Sequence, residues 1–353
     1  MAYDFTYFKQ RVSIIQAAEA LGYRHNPHAG RNPVEYCHPE HANVIIRNPH
    51  DPVKQLYFTR HDDTNRGSVI DFVRHRLHLF GVRESSEMAG VNKVLHQLAQ
   101  VDYQPTALLP EVGAKKTFVR ERYHCRPAQL QDLGYLQRKR GLSEETLLAF
   151  LPYLQKVVDL ESAKKWENIG FPYRVVEESQ WRGLELVNYH FKRFAAGSDR
   201  QHACWFAGCT MVPEKVMWAE SAIDAMSFFQ LSQRTSPTRF SLKHTLYVAV
   251  GGALARAQAE HVLRLYPYAR HYTIFDADLA GRLQTIRLAA YRLGVSLTLR
   301  REQHQVHFQL PDRTFAIPID EISLHRFRTL SHLNVQLVEY RPRGKDFNQM
   351  LTE

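Results

Sequence analysis

Acidic residues stand at the ends of apolar runs in the C-terminal third of this 353-residue chain. Val216-Met217-Trp218-Ala219 runs into Glu220, and Asp224 follows one helical turn later. His271-Tyr272-Thr273-Ile274-Phe275 runs into Asp276-Ala277-Asp278, and then into Ala280-Gly281-Arg282. Near the end of the sequence comes Gly344-Lys345-Asp346-Phe347-Asn348. Carboxylates are hard oxygen donors, and magnesium usually takes only one or two of them. A glutamate at a strand end can ligate such an ion or accept a proton from an attacking hydroxyl. Asp276 and Asp278 reach one crevice if the chain turns after Asp276, while Asp278 is also placed to cap the helix that follows. The two roles are compatible. The chemistry these residues suggest is a divalent metal acting on phosphates. Taken singly, each has a plainer reading: Glu220 as a surface glutamate, Lys345 and Asp346 as an exposed ion pair. Gly251-Gly252 suits a phosphate at the next helix N-terminus or a simple strand–helix turn.

Such residues need a parallel sheet to present them, because ligands of α/β folds gather at the carboxyl ends of strands. The pattern supplies one. Strands are expected at Val216–Ala219, Thr245–Val250 and Tyr272–Phe275, each followed by a helix, at Ala222–Leu231, Leu254–Leu265 and Leu279–Leu293. This alternation implies a mostly parallel sheet flanked by helices. Residues 295–318 alternate as a hairpin inserted before a last strand, Val335–Tyr340. Upstream, Ser13 caps a helix through Leu21 that stops at Gly22. Residues 43–46 and 55–58 read as paired strands, and helices are expected from Val69 to about Leu79 and near Val91–Leu98. Helices are expected again at Pro127–Arg140 and Ser143–Leu151, with strands from Phe171 to Trp205. Pro105, Pro110 and Gly113 mark residues 101–115 as a linker.

An apolar fraction of 44% and a charged fraction of 23% are those of a folded soluble protein. No apolar run reaches the roughly 18 residues of a membrane span. The opening MAYDFTYFKQR is neither a secretion signal nor a transit peptide, so a cytoplasmic location is expected, with no membrane partner. The four cysteines are scattered, which argues against a disulfide framework. A net charge of +10 favours a polyanionic partner. Basic and aromatic residues interleave at residues 57–60, 72–76, 137–140 and 191–194, combining phosphate neutralisation with faces for unpaired bases.

The acidic strand ends resemble the Toprim domain, the phosphodiester-transfer module of bacterial primases, topoisomerases and some nucleases. The likeness rests on Glu220 to Asp224, on Asp276-Ala-Asp278-Leu-Ala-Gly281, and on Lys345-Asp346-Phe-Asn348. It implies Glu220 as base and metal ligand, with Asp276 and Asp278 as ligands for Mg²⁺ or Mn²⁺. The Asp-x-Asp-x-Ala-Gly and Lys-Asp-x-Asn pieces look like the DnaG-type primase branch. Ser221 departs from it, since primases usually carry glycine there. The insertion at about 295–318 also departs from it.

Upstream, Cys37-His38-Pro39-Glu40-His41, Leu56-Tyr57-Phe58 and Gly67-Ser68-Val69-Ile70-Asp71 resemble the zinc-binding N-terminal domain of primases. The second Cys-x-x-Cys is replaced by Thr59-Arg60-His61-Asp62. Zn²⁺ would have Cys37, His41 and His61 as ligands, with His38 a poorer candidate, one short of the four a structural site wants. The reading adopted is a degenerate finger held together by its apolar core. Tyr135 to Ser143 and Gly183 to Trp205 look like the primase core, which implies phosphate or nucleic-acid contacts from Arg138, Arg140, Lys192 and Arg193. Arg282, Lys345 and Asp346 join that set.

The expected organisation is therefore a mixed α+β finger-like domain at 1–100, a linker at 101–115, a primase-core subdomain at 116–210 and a Toprim domain at 211–353. Its expected function is primer synthesis on single-stranded DNA from nucleoside triphosphates, for a mobile element or plasmid, with a separate helicase or replication or mobilisation protein as partner. The resemblance ends soon after Asn348 and implies no helicase-binding domain in this sequence. The alternatives are a Toprim nuclease or defence effector, and a non-catalytic DNA-binding assembly protein.

Overall fold

The computed structural model describes residues 5–30, 32–104, 117–162 and 164–353. The fold is mixed α and β, in two compact units: Met1–Ala114 with Thr298–Gln309, and Lys115–Leu297 with Leu310–Glu353. Most of the expected linker, from residue 105 on, lies outside the described residues.

The first unit opens with α1 (Phe5–Arg11) and α2 (Ile14–Ala20). Ser13 caps α2, its Oγ accepting the Gln16 N–H at 2.9 Å. Strands β1 (Arg24–His25), β2 (Val34–Cys37), β3 (Val44–Arg47), β4 (Leu56–Thr59) and β5 (Asp62–Gly67) pair antiparallel in chain order. Helix α3 (Val69–His75) begins where the Asp71 carboxylate accepts the Ser68 N–H at 2.9 Å. It is shorter than expected and passes into a 3₁₀ turn at Leu77–Phe80 that ends on Gly81 at φ +67°. Helix α4 (Glu87–Ala99) follows. Phe8, Ile15, Tyr36, Ile46, Tyr57, Phe72 and Val94 form the buried core of this unit.

The second unit begins with β6 (Tyr123–Pro127), α5 (Gly134–Arg140) and α6 (Glu144–Phe150). Pro127 was expected to start a helix and instead closes a strand. That strand lies at the sheet edge, where a residue without an N–H costs no ladder bond. The helix begins only at Gly134, after a 3₁₀ turn that Asp132 caps by accepting the Gln129 N–H. Strands β7 (Gln155–Asp159), β8 (Glu167–Arg174), β9 (Trp181–Val187) and β10 (Lys192–Phe194) complete an antiparallel sheet in the order β10-β9-β8-β7-β6.

Then come β11 (Trp205–Gly208), β12 (Lys215–Ala219), α7 (Ala222–Thr235), β13 (Thr245–Ala249), α8 (Arg256–Leu265), β14 (Arg270–Ile274) and α9 (Leu279–Arg292). The hairpin β15 (Thr298–Glu302) and β16 (Gln305–Gln309) groups with the first unit, where the Leu299 N–H donates to the Asp63 carboxylate at 3.0 Å. The chain continues through β17 (Thr314–Pro318), α10 (Leu324–Ser331), β18 (Leu337–Glu339) and α11 (Gln349–Thr352). The third sheet has the order β11-β13-β12-β14-β18, with every pair parallel except β11–β13.

This sheet is covered on both faces, which is why its strands read as unbroken apolar runs. Met217, Ala219, Tyr247 and Ile274 join α7 and residues such as Leu136, Phe150, Phe171 and Trp205 in one core. Val216, Trp218, Leu246 and Val248 join α8 and α9 in another. Buried His271 fits there as a neutral ring: Trp218 Nε1 donates to its Nδ1 at 3.0 Å, and burial pushes its pKa down to about 4. Among the described residues no helix is long and apolar enough to cross a membrane.

Candidate active site

The chain leaves β12 toward β13 on one side and returns to β14 on the other, so the carboxyl ends of β12 and β14 border the crevice of a topological switch point. Ala219 pairs with Ile274, which sets Glu220 and Asp276 just beyond adjacent strand ends. The Glu220 carbonyl accepts the N–H groups of Gly251 and Gly252 at 2.9 and 3.2 Å, closing the turn after β13 onto the end of β12. Gly251 sits at φ +78°, and a Cβ there would lie 2.6 Å from the Phe194 ring.

Ser221 caps α7. Its φ of −130° is ordinary extended backbone, so nothing at this position demands glycine. Its hydroxyl accepts the Asp224 N–H and donates to the Asp224 carboxylate. Asp278 caps α9 by accepting the Gly281 N–H at 2.9 Å. Gly281 allows the close approach: a Cβ would stand 2.1 Å from the Asp276 carbonyl oxygen. The C-terminal segment is fastened to the same loop, the Ala277 N–H donating to the Lys345 carbonyl at 2.8 Å. Asp346 accepts the Gln349 N–H at 2.7 Å. Asn348 donates to the Arg140 carbonyl at 2.8 Å and to Ser227 Oγ at 3.0 Å, tying α5 to α7.

These loops gather acids that repel one another. Burial, then the carboxylates of Asp224 and Asp278, push Glu220 up to about 7, while Lys192 and Lys345 pull it down. Burial, then Glu220, Asp224, Asp346 and Asp278, push Asp276 up to about 8. Asp224 is raised chiefly by burial, with the Ser221 hydrogen bond acting in the opposite sense. Lys192 on β10 lies 3.3 Å from buried Glu185 and is an electrostatic neighbour of Asp224. Arg200 donates to the Gly251 carbonyl at 3.0 Å.

Glu220, Asp276, Asp278, Lys345, Asp346 and Lys192 are thus neighbours, with Arg140 beside Lys192. The other basic candidates are engaged elsewhere. Arg138 Nε donates to the Tyr189 hydroxyl at 3.1 Å. Arg193 lies 3.6 Å from Asp159 and stacks on Phe191. Arg282 donates to the carbonyls of Ile319, Asp320 and Ile322. Two members of the acidic group were not named as site residues from the sequence. Asp224 had a signal, its spacing of one helical turn from Glu220. Glu185 had none, because only the packing of β9 brings it near.

Among the described residues no three His, Cys, Asp or Glu side chains are already closed into a metal-ligand set. The donor chemistry of the strand ends nonetheless fits a hard divalent cation: several carboxylates share one crevice at an electrostatic cost that such an ion removes. The zinc ligands Cys37, His41 and His61 are not brought together as a set. Cys37 closes β2 with Glu35 and Arg60 as its charged neighbours, and its thiol is pushed up by burial. His41 stacks on His38 at 4.4 Å instead, and His61 occupies the β4–β5 turn at φ +64°.

Residues 217–305 match the Toprim-like family, a stretch that contains Glu220, Asp276 and Asp278. No curated protein matches the sequence. Among solved structures, the primase fragment of the bacteriophage T7 primase-helicase protein is similar at 14% identity and a TM-score of 0.37, over 68% of this chain and 77% of that one. A structure of the bacteriophage T7 lagging-strand DNA polymerase interacting with primase domains bound to an RNA/DNA hybrid and dTTP is similar at 20% identity and a TM-score of 0.30, over 47% and 75%.

Proposed function

We propose that this chain is a primase-like nucleotidyltransferase that makes primers on single-stranded DNA from nucleoside triphosphates. One observation carries the reading: carboxylates gathered at the ends of two adjacent parallel strands are pushed up, by burial first and then by one another's charge, to pKa values of about 7 and 8. Glu220, Asp276 and Asp278 would hold Mg²⁺ or Mn²⁺, which when bound neutralises phosphate charge and eases ionisation of an attacking hydroxyl. Glu220, ionised once a cation neutralises its carboxylate neighbours, accepts the proton of that hydroxyl. Lys192, Lys345 and Arg140 offer cations to the triphosphate. The residues of β6–β10 carry the template, and a separate helicase or replication protein recruits the enzyme to its DNA. The first unit, finger-like in sequence, serves as a nucleic-acid-binding module without a complete zinc ligand set.

The experiment is nucleotide incorporation on a single-stranded template with Mg²⁺ or Mn²⁺, comparing the parent with Asp276→Ala, Asp278→Ala and Glu220→Ala. Metal-dependent incorporation lost in each variant is the expected result. Incorporation that survives in Asp276→Ala and Asp278→Ala sinks the site assignment. Strand cleavage without incorporation would identify a nuclease, and DNA binding indifferent to metal and to all three carboxylates would identify a non-catalytic protein.

A further inference from the structure

Large aromatic side chains are exposed where β8 begins and β9 ends, at one end of these two inner strands of the β6–β10 sheet. Trp166 is 43% and Tyr189 54% exposed. Each has a ring beside it: the Trp166 and His190 rings lie 4.9 Å apart, and Tyr189, next to His190 in the chain, meets Tyr135 edge-on at 5.3 Å. Cations attend each one. Lys164 Nζ lies 5.8 Å from the Trp166 ring, and the Arg138 guanidinium 6.0 Å from the Tyr189 ring.

The register explains the pairing. Ile169 lies opposite Val187, so continuing the β8–β9 ladder by three residues sets Trp166 across from His190. A pair of side-chain amides, Asn168 and Asn188, then ties both segments together. Asn168 Nδ2 donates to the Trp166 carbonyl at 2.7 Å, and its Oδ1 accepts from Asn188 Nδ2 at 2.6 Å. Asn188 Oδ1 in turn accepts the N–H groups of His190 and Phe191 at 2.7 and 3.1 Å. One buried and one half-buried side-chain amide hold the backbone that bears these rings, which is preorganisation for a ligand.

We infer that Trp166, Tyr189 and His190 form a stacking platform for unpaired bases of single-stranded DNA. The inference rests on the reading above that this chain acts on nucleic acid, and it names where the bases sit. Aromatic faces beside Lys and Arg suit unpaired bases and their phosphates, whereas a duplex keeps its base faces covered. The turn that bears Tyr189 and His190 runs directly into Lys192, the electrostatic neighbour of Glu220 and Asp224. A strand stacked on the platform therefore leads toward the acidic crevice.

The test uses the full chain in EDTA and fluorescence anisotropy with a labelled single strand of about 12 nucleotides. W166A/Y189A is expected to bind it about tenfold or more weakly. Its salt dependence stays unchanged, because no phosphate contact is lost. W166F/Y189F restores the affinity, and duplex binding is unaffected in both variants. Unchanged single-strand affinity in W166A/Y189A, or an equal loss on duplex, overturns the inference. The parent gives a further reading: Trp205 and Trp218 are buried and Trp181 is half-buried, so DNA should chiefly quench emission from exposed Trp166, and W166F identifies that share. Quenching that persists undiminished in W166F also overturns it. Because no divalent ion is present, a protein that makes no primer can still pass this test. An active primase whose variants bind normally loses only the platform.

Discussion

At the scale of single residues the argument turns on the cost of ionising clustered carboxylates. Asp276 has a folded-state pKa near 8, above that of an unfolded aspartate. Between those two values the folded state binds the proton that the unfolded state has released. The metal-free protein therefore loses stability as pH rises through that window, and Glu220, near 7, acts in the same sense. Asp276→Asn removes one like charge. It is expected to raise the melting temperature of the metal-free protein at pH 8, by about 2–4 °C for each kcal/mol of repulsion removed, and to do little at pH 4. Mg²⁺ should raise the parent's melting temperature at pH 8 and leave the variant's nearly unmoved. A calorimetric scan at both pH values decides it, and an equal shift at pH 4 and pH 8 contradicts the electrostatic account. Glu220 and the Asp-x-Asp pair were legible in the sequence because each ends an apolar run, and Asp224 left a trace in its spacing of one helical turn from Glu220. Glu185 was not legible, since only the packing of β9 brings it near and a charge buried that way carries no local mark.

At the scale of elements, caps and close approaches explain why helices start where they do. Ser13 and Asp278 were readable as caps because a short polar side chain before an apolar-periodic stretch has few other uses. Pro127 misled because proline suits the first turn of a helix as well as the end of an edge strand, and only sheet order separates the two. Gly281 is the position where α9 comes closest to the Asp276 backbone. Gly281→Ala therefore forces the Asp276 loop or the helix start to move, and overpacking of this kind costs about 1–3 kcal/mol. The expected result is that loss of stability in urea together with loss of metal-dependent activity. Ser221→Gly, at an N-cap with extended backbone, should cost less, since glycine caps fall only a few tenths of a kcal/mol behind serine. Finding the two variants equally stable would refute the steric account of Gly281.

At the scale of the whole molecule, net charge and shared cores set the behaviour. A chain of net charge +10 that neutralises phosphates should bind DNA with an affinity that falls steeply as salt rises. If about five phosphates are engaged, log K should fall with a slope of roughly −3.5 against log salt on a single strand. A slope near zero in filter binding would remove the electrostatic case. The parallel sheet was legible from strand–helix alternation, because strands covered on both faces read as apolar runs. The depth to which residues 117–210 join that sheet was not, because packing between distant segments leaves no periodic trace. Leu136, Phe150, Phe171 and Trp205 share one core with Met217, Ala219, Tyr247 and Ile274, and Trp205 begins a strand that pairs with β13. A fragment of residues 211–353 would lose β11 and bare the apolar face of β12, β13 and β14 to water. Each large side chain so uncovered forfeits about 1.5–3 kcal/mol, and a domain's whole margin is only about 5–15 kcal/mol. The fragment is therefore expected to unfold without a cooperative transition and to bind hydrophobic dyes, while residues 117–353 melt as a unit. A sharp transition for 211–353 at the melting temperature of 117–353 would show that the two segments do not depend on their common core.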